Sequence, residues 1–304
     1  MTDNVTTRRA GPFAGLEEFV TENVPLAPYT CFRLGGPARW LITPRNEEEL
    51  RQTALRCAEN DVPMYVLGLG ANILVADSGI GGAVFRLGND YWREIRLEGD
   101  RLRARAGMDM QKLVLKCVRQ GLAGIECLAG IPGTIGGGIR MNAGGRFGDI
   151  GAAVTGVTVM DRHGQIAQRE KEDLRFDYRR SNICAPFIVE ATLQLEQDDP
   201  DQVLYRTRQI WIYKRNTQPL SARSAGCVFK NPPGCDLSAG ALIDRAGLKG
   251  MRLGGAEVST RHANFIVANN GCTATDVLNL IDLVRNRIYQ RDGILLENEV
   301  QIWP

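Results

Sequence analysis

Met64-Tyr65-Val66-Leu67-Gly68-Leu69-Gly70-Ala71-Asn72-Ile73-Leu74-Val75 is the stretch on which the fold turns. The apolar run up to Leu67 reads as a strand entering a glycine turn. A dinucleotide fingerprint at this place needs a third glycine and a helix opening from the turn. Here the third glycine is missing, and Ile73-Leu74-Val75 returns as strand. The doubly wound dinucleotide fold is therefore excluded. Gly68 and Gly70 still allow successive backbone N–H groups to face one point, and such a nest holds phosphate oxygens without a lysine. A plain β-turn is the other reading of the same six residues.

The flanks place this turn in an α/β unit. Trp40-Leu41-Ile42 reads as a strand. Asn46 followed by Glu49 has capping-box spacing, and Leu50, Ala54, Leu55 and Ala58 make a helical stripe behind it. Ala83-Val84-Phe85 is a further short strand. Beyond it, Asp90 to Arg105 alternates as a hairpin, and Leu113, Val114, Cys117 and Val118 mark a helix closed by Gly121. Val154 to Ala167 is expected as a hairpin turning at Arg162-His163-Gly164, and Phe187 to Leu195 as an alternating strand. Glu196 to Asp201 should be an acidic turn. The helix from Pro200 carries the stripe Val203, Leu204, Thr207, Ile210 and Trp211, and Asn216 to Ser224 reads as a linker. Later come a short helix at Ala241–Ala246, a strand at Phe265-Ile266-Val267, and a long helix over Thr275–Tyr289 that Thr273 and Asp276 could box. Ile294 to Trp303 closes the pattern as a strand.

Twelve glycines lie between Gly121 and Gly156, interleaved with Ile125, Cys127, Leu128, Ile131, Ile135, Ile139 and Met141. That is no flexible linker. Glycine loses the most backbone freedom on ordering, so this density implies backbone pressed closely against something. The run Gly130-Ile131-Pro132-Gly133-Thr134-Ile135-Gly136-Gly137-Gly138 can present a second nest. Two nests suit a diphosphate clamped between two small domains.

Composition narrows the class. With 304 residues, 44% of them hydrophobic, the chain can build a full core and more than one domain. Its 37 basic and 35 acidic residues give no nucleic-acid surface. No run approaches about 18 apolar residues, so no membrane insertion is expected. Met1 to Ala10 are polar, with no apolar leader core. The eight cysteines are scattered, with no paired CxxC spacing. Cys57 and Cys117 sit in helical apolar patterns as buried small hydrophobes. A reducing cytoplasm fits this usage. Neither His163, a turn residue, nor His262 has metal-ligand company, and no metal is expected.

From Thr30 to Ile302 the chain resembles the UDP-N-acetylenolpyruvoylglucosamine reductase family. The resemblance rests on eight blocks in order: Phe32-Arg33-Leu34-Gly35-Gly36-Pro37, Leu67 to Val75, Gly130 to Gly137, Met141-Asn142-Ala143-Gly144, Tyr178-Arg179-Arg180-Ser181, Ala225 to Pro232, His262 to Ile266, and Leu296-Glu297-Asn298-Glu299-Val300. It implies an α+β flavoprotein of three domains. Residues 1–88 and 89–217 would form an FAD-binding module of the vanillyl-alcohol-oxidase (PCMH) type, and 218–304 an α/β substrate-binding domain with a returning C-terminal strand. The short stretch between Arg179 and Pro200 matches the shorter branch of the family, which lacks an inserted substrate-contacting tyrosine loop.

The resemblance further implies a cytoplasmic, NADPH-dependent enzyme of peptidoglycan precursor synthesis that holds FAD non-covalently. It would act on UDP-N-acetylglucosamine enolpyruvate. The oligomeric state stays open, a monomer included. Gly68, Gly70, Ala71, Asn72, Ile73, Gly130, Pro132, Gly133, Gly136, Gly137 and Asn142 would bind the cofactor. Tyr178, Lys230 and Asn231 would face the substrate. Arg179 would face its carboxylate, and Glu299 is the matching catalytic glutamate. Glu297 lies two residues back, on the same face if this segment is a strand. Cys227 stands where the family usually has a proton-donating serine. A thiol, with an ordinary pKa of about 8.5, can also donate a proton, and it would be open to alkylation or oxidation. Two other readings are an oxidase or dehydrogenase of the same flavin superfamily, and a nucleotide-binding module without catalysis.

Overall fold

The computed structural model describes residues 11–304. The polar Met1–Ala10 segment lies outside the described residues. Strands β1 (Val20–Pro25), β2 (Pro37–Ile42), β3 (Met64–Val66) and β5 (Ile80–Phe85) form one sheet in the order β1-β2-β5-β3. Helix α1 (Glu47–Glu59) crosses from β2 to β3, and β3 lies parallel to β5. Its start is half the expected box. Asn46 accepts from the Glu49 N–H at 3.0 Å, but the Glu49 carboxylate reaches past Asn46 to the Arg45 N–H at 2.7 Å. Strand β4 (Ile73–Val75) leaves this sheet.

The second sheet is antiparallel. Ile166–Glu170, Val154–Met160, Phe187–Gln194, β7 (Arg101–Arg105) and β6 (Ile95–Glu98) pair in that order. Phe187 to Leu193 is buried at every residue, yet the residue types alternate as expected: Phe187, Val189, Ala191 and Leu193 join the apolar core, while Glu190 on the other face is covered by its ion pair with Arg103. Helices α2 (Met110–Arg119), α3 (Ile135–Arg140) and α4 (Pro200–Thr217) belong to this layer. One apolar core joins it to the first sheet through α1. Phe85 meets Phe187 edge-on at 4.8 Å, and Leu50, Ala54 and Cys57 share that core with Leu113, Val114 and Cys117. Each of the buried Phe, Leu and Val side chains contributes roughly 1.5–3 kcal/mol by its burial.

A separate core gathers Phe32, Leu74 and residues from Ala225 to Val300. Here α5 (Ala239–Arg245) and α6 (Ala274–Asp292) pack with a small antiparallel sheet, Arg252–Leu253, Ala256–Val258 and Ile266–Ala268. The Thr273–Asp276 capping box is present. Gln301–Trp303 then runs parallel to β4.

Three expectations change. Glu196–Gln197 is no free acidic turn; it pairs with Leu122–Ala123. Helix α4 runs two residues into the expected linker, and its inward stripe is Val203, Thr207, Ile210 and Lys214, while Leu204 and Trp211 are exposed. The closing strand is only Gln301–Trp303; residues 294–300 are irregular.

Candidate active site

The Gly68–Asn72 turn joins β3 to β4. Gly70 holds a left-handed φ of 64°, and a Cβ there would lie 2.3 Å from the Tyr29 carbonyl oxygen, so only glycine fits. Among the described residues, no backbone N–H from Gly68 to Asn72 has a protein acceptor. Five donors without a protein acceptor in one turn can together form an anion-binding concavity. The second turn lies against the first: a Cβ on Gly68 would meet the Thr134 hydroxyl at 2.6 Å. Gly130 and Gly133 have φ of 76° and 155°. The Gly136 N–H is committed to the Ala106 carbonyl at 2.8 Å, and the Gly137 N–H to the Thr134 hydroxyl at 3.4 Å. Those two glycines therefore give the turn space rather than free donors. Gly68, Leu69 and Pro132 line an open cleft of about 700 Å³, with Arg33, Arg86 and Arg223 around it. The expected second nest is not formed: the Gly130 N–H donates to Gln111 Oε1 at 2.7 Å, the Ile131 N–H to the Leu128 carbonyl at 2.9 Å, and Pro132 has no N–H. The Gly68–Asn72 nest and the arginine forks suit the diphosphate of a dinucleotide.

The cleft turn is tied directly to the closing segment. Asn72 donates its side-chain N–H to the Glu299 carbonyl at 3.2 Å, and Gln301 N–H donates to the Asn72 carbonyl at 2.9 Å. Ile73, buried, pairs with Gln301. The Asn72 side chain thus holds Glu299, and Ile73 packs beside it.

Three segments converge on the other side. The Glu299 N–H donates to the Val228 carbonyl at 2.7 Å, and Cys227 is bridged to Phe265. Gly226, at φ 77°, faces the Ala71 carbonyl, which a Cβ would meet at 3.9 Å. Arg179 reaches in from a hairpin tip and donates from Nε to Glu299 Oε1. Residues 179, 227 and 299, separate in sequence, thus stand together beside the cofactor turn.

The structure separates Glu299 from Glu297. Because the segment is not a strand, the two do not share a face: the Glu299 side chain is 11% exposed and the Glu297 side chain 70%. Glu297 pairs with Lys230 at 3.4 Å. Burial pushes the Glu299 carboxyl above its ordinary range, against the lowering effect of the Arg179 and Lys230 charges. Cys227 is partly exposed, and burial, together with the Glu299 charge, pushes its thiol up to about 12. That reverses the expected reactivity, since alkylation needs the thiolate.

Tyr178 is half exposed, and its hydroxyl accepts from the Asn231 N–H at 3.3 Å. Asn231 Oδ1 accepts from the Ala239 N–H at 3.0 Å, which leaves its NH₂ for a ligand. Asn142, expected among the cofactor ligands, is buried with both side-chain polar atoms bonded to backbone: Nδ2 donates to Asp177 O and Oδ1 accepts from Gly151 N, each at 3.0 Å. Its side chain is thus engaged by the protein's own backbone, with one Nδ2 hydrogen and one Oδ1 lone pair uncommitted.

Lys214 was not foreseen. Its Nζ donates to the carbonyls of Cys127 and Ala129 at 2.9 and 2.7 Å, pinning α4 to the start of the Gly130 turn. Burial lowers its pKa to about 8. The signal in the sequence was its place on the helical stripe, four residues after Ile210. Among the described residues no group of His, Cys, Asp and Glu could hold a metal ion.

Two family models match the chain: the C-terminal domain of UDP-N-acetylenolpyruvoylglucosamine reductase over residues 218–303, and an FAD binding domain over residues 38–168. The UDP-N-acetylenolpyruvoylglucosamine reductase of Moorella thermoacetica is 41% identical over 290 residues, 95% of each chain. That of Alkalilimnicola ehrlichii is 42% identical, covering 91% of this chain and 92% of its own. The crystal structure of the Thermus caldophilus reductase superposes with a TM-score of 0.82 at 38% identity, over 94% of this chain and all of that one.

Proposed function

Because the chain belongs to the UDP-N-acetylenolpyruvoylglucosamine reductase family, we propose that it uses NADPH to reduce UDP-N-acetylglucosamine enolpyruvate to UDP-N-acetylmuramate in the cytoplasm, for peptidoglycan precursor synthesis. Residues 1–88 and 89–217 hold FAD non-covalently between them, and 218–304 cover the substrate. The FAD-binding stretch, 38–168, contains both glycine turns. Gly68 to Ala71 would hold the diphosphate, with the Gly130–Gly133 turn lying against them. The flavin, when bound, supplies hydride transfer.

The observation that carries this reading is the Arg179–Glu299 pair set beside Cys227 and against the cofactor turn. Arg179, oriented by Glu299, presents the rest of its fork to the substrate carboxylate and stabilises charge that develops there. Cys227 delivers a proton from Sγ to the carbon next to that carboxylate. Its raised pKa keeps that proton in place throughout the neutral range. Tyr178, Lys230 and Asn231 line the substrate side, with the Asn231 NH₂ directed to the nucleotide diphosphate. No described helix is long and apolar enough to cross a membrane.

Stopped-flow absorbance tests the reading. The flavin band should bleach when the protein is mixed anaerobically with NADPH and recover rapidly on adding the enol ether. Bleaching without recovery would assign the enzyme another acceptor and remove the substrate from this account.

A further inference from the structure

We propose that Asn142 is a positioning residue for Arg179, and that the end of α3 sets the geometry of the substrate-facing arginine. The inference rests on the functional reading above and deepens it.

Arg179 sits in a poor hairpin. Only two residue pairs, Phe176↔Ser181 and Asp177↔Arg180, flank the tip Tyr178-Arg179. Arg179 takes a left-handed φ of 58°, a conformation that favours glycine. Tyr178 has no positive φ, so the tip is not the turn type whose twist matches two antiparallel strands. A two-stranded ribbon this short does not hold itself in water. Its conformation must be imposed from outside, and strained residues held in this way cluster at functional sites.

The tip's side chains meet Asn231 and Glu299, and the backbone of both ribbon strands is anchored by the chain leaving α3. Asn142 Nδ2 donates to the carbonyl of Asp177, the residue that opens the tip. Asn142 is itself at φ 45°, which asparagine tolerates better than most residues. Its Oδ1 is fixed by the Gly151 N–H. The Ser181 hydroxyl donates to the Arg140 carbonyl at 3.1 Å, on the ribbon's other strand. The Arg140 guanidinium donates to the carbonyls of Ile183, Ala185 and Pro186, holding the chain that follows. Gly151 keeps the space open: a Cβ there would lie 2.5 Å from Phe176 and 2.8 Å from Asn142 Oδ1. The helix that follows the Gly130–Gly133 turn thus grips the hairpin that carries Arg179.

The test is Asn142→Ala, read in three ways beside the wild type. Flavin affinity and the NADPH half-reaction should stay within about twofold. Reoxidation by the enol ether should fall about 10–100-fold, the scale of a small misplacement of a substrate-orienting group. Backbone amides of residues 176–181 should exchange hydrogen faster, with the Gly68–Asn72 turn unchanged. Ser181→Ala, a milder cut in the same anchor, should show a smaller loss confined to the same half-reaction, and it serves if Asn142→Ala fails to fold. In an Arg179→Ala background, Asn142→Ala should cost nothing more. Flavin affinity falling in step with activity would make Asn142 a cofactor contact and overturn the proposal. So would unchanged exchange at 176–181, or a full further loss without Arg179. If wild-type protein is not reoxidised by the enol ether, the substrate reading fails, and the exchange data still decide whether Asn142 anchors the hairpin.

Discussion

At the scale of single residues, burial acts on Cys227 and Glu299 in the same direction, favouring the protonated form of each. The thiol at about 12 is protonated wherever the enzyme works. Cys227→Ala should cut reoxidation by the enol ether about 10²–10⁴-fold, the usual weight of a general acid, and spare the NADPH half-reaction. Cys227→Ser should retain most of the rate; near-normal turnover of the alanine variant would remove the thiol from the mechanism. The same burial predicts that Cys227 is alkylated more slowly than the exposed Cys184, as peptide mass spectrometry after brief iodoacetamide treatment would report. For Glu299 the shift has a sign that can be checked. Its folded pKa lies above the ordinary 4.5, so between those two values the folded state binds more protons than the unfolded. Its contribution to stability is complete below 4.5 and is lost as pH rises through the folded value. Glu299→Gln cannot lose a proton there. Urea midpoints should therefore shift in favour of the variant as pH rises from about 4 to about 7; the reverse trend would mean that the Arg179 charge outweighs burial.

At the scale of elements, the start of α6 shows what a sequence can and cannot display. Its own box, Thr273 with Asp276, is a local pattern and is legible. The second cap is not: the Asp77 carboxylate accepts from Ala274 N–H at 2.8 Å, Thr275 N–H at 2.9 Å and the Thr275 hydroxyl at 2.8 Å. Nothing near residue 77 announces a helix that begins almost 200 residues later. Asp77→Ala should cost about 1–2 kcal/mol, the upper part of the range for a lost N-cap, read as a lower urea midpoint at neutral pH. Burial raises the Asp77 pKa, but these three donors lower it further, so the net value lies below 3.8. Its stabilisation is present above 3.8 and lost as pH falls through the folded value, so wild type and variant should converge in strong acid. The same divide runs through the site. Gly68, Gly70, Gly130 and Gly133 were legible because backbone space and positive φ demand glycine. The roles of Asn72, Asn142 and Lys214 were not, because each is defined by a carbonyl supplied from a distant segment. Glu297 and Glu299 could not be told apart by a strand period, since the segment that carries them is irregular.

At the scale of the whole molecule, the cofactor turn and the chemistry share one support. Strand β4 leaves the Gly68–Asn72 turn and pairs with Gln301–Trp303, which follows Glu299 by two residues. Trp303 closes this joint. Its ring packs on Tyr65 at 5.1 Å, and its carbonyl accepts from the Ala76 N–H at 2.9 Å. Because Tyr65 lies in β3 and Ala76 just after β4, one residue braces both strands that flank the turn, its ring on the first and its carbonyl on the second. Trp303→Ala keeps the backbone pairing and removes only the ring. The partly exposed indole makes the expected loss about 1–3 kcal/mol, below the cost of truncating a fully buried tryptophan. At about 2–4 °C for each kcal/mol, the apoprotein melting temperature should fall measurably. Flavin affinity should weaken as well, because the turn must be ordered before its five N–H groups can act together. Added FAD should then raise the variant's melting temperature, but only at higher concentration than the wild type needs, following mass action between ligand and folded state. Thermal melts across an FAD titration measure both effects at once. A lower apoprotein melting temperature with an unchanged FAD dependence would show that the C-terminal strand stabilises the fold without shaping the turn. Parallel losses would establish that fold stability and cofactor binding rest on the same joint.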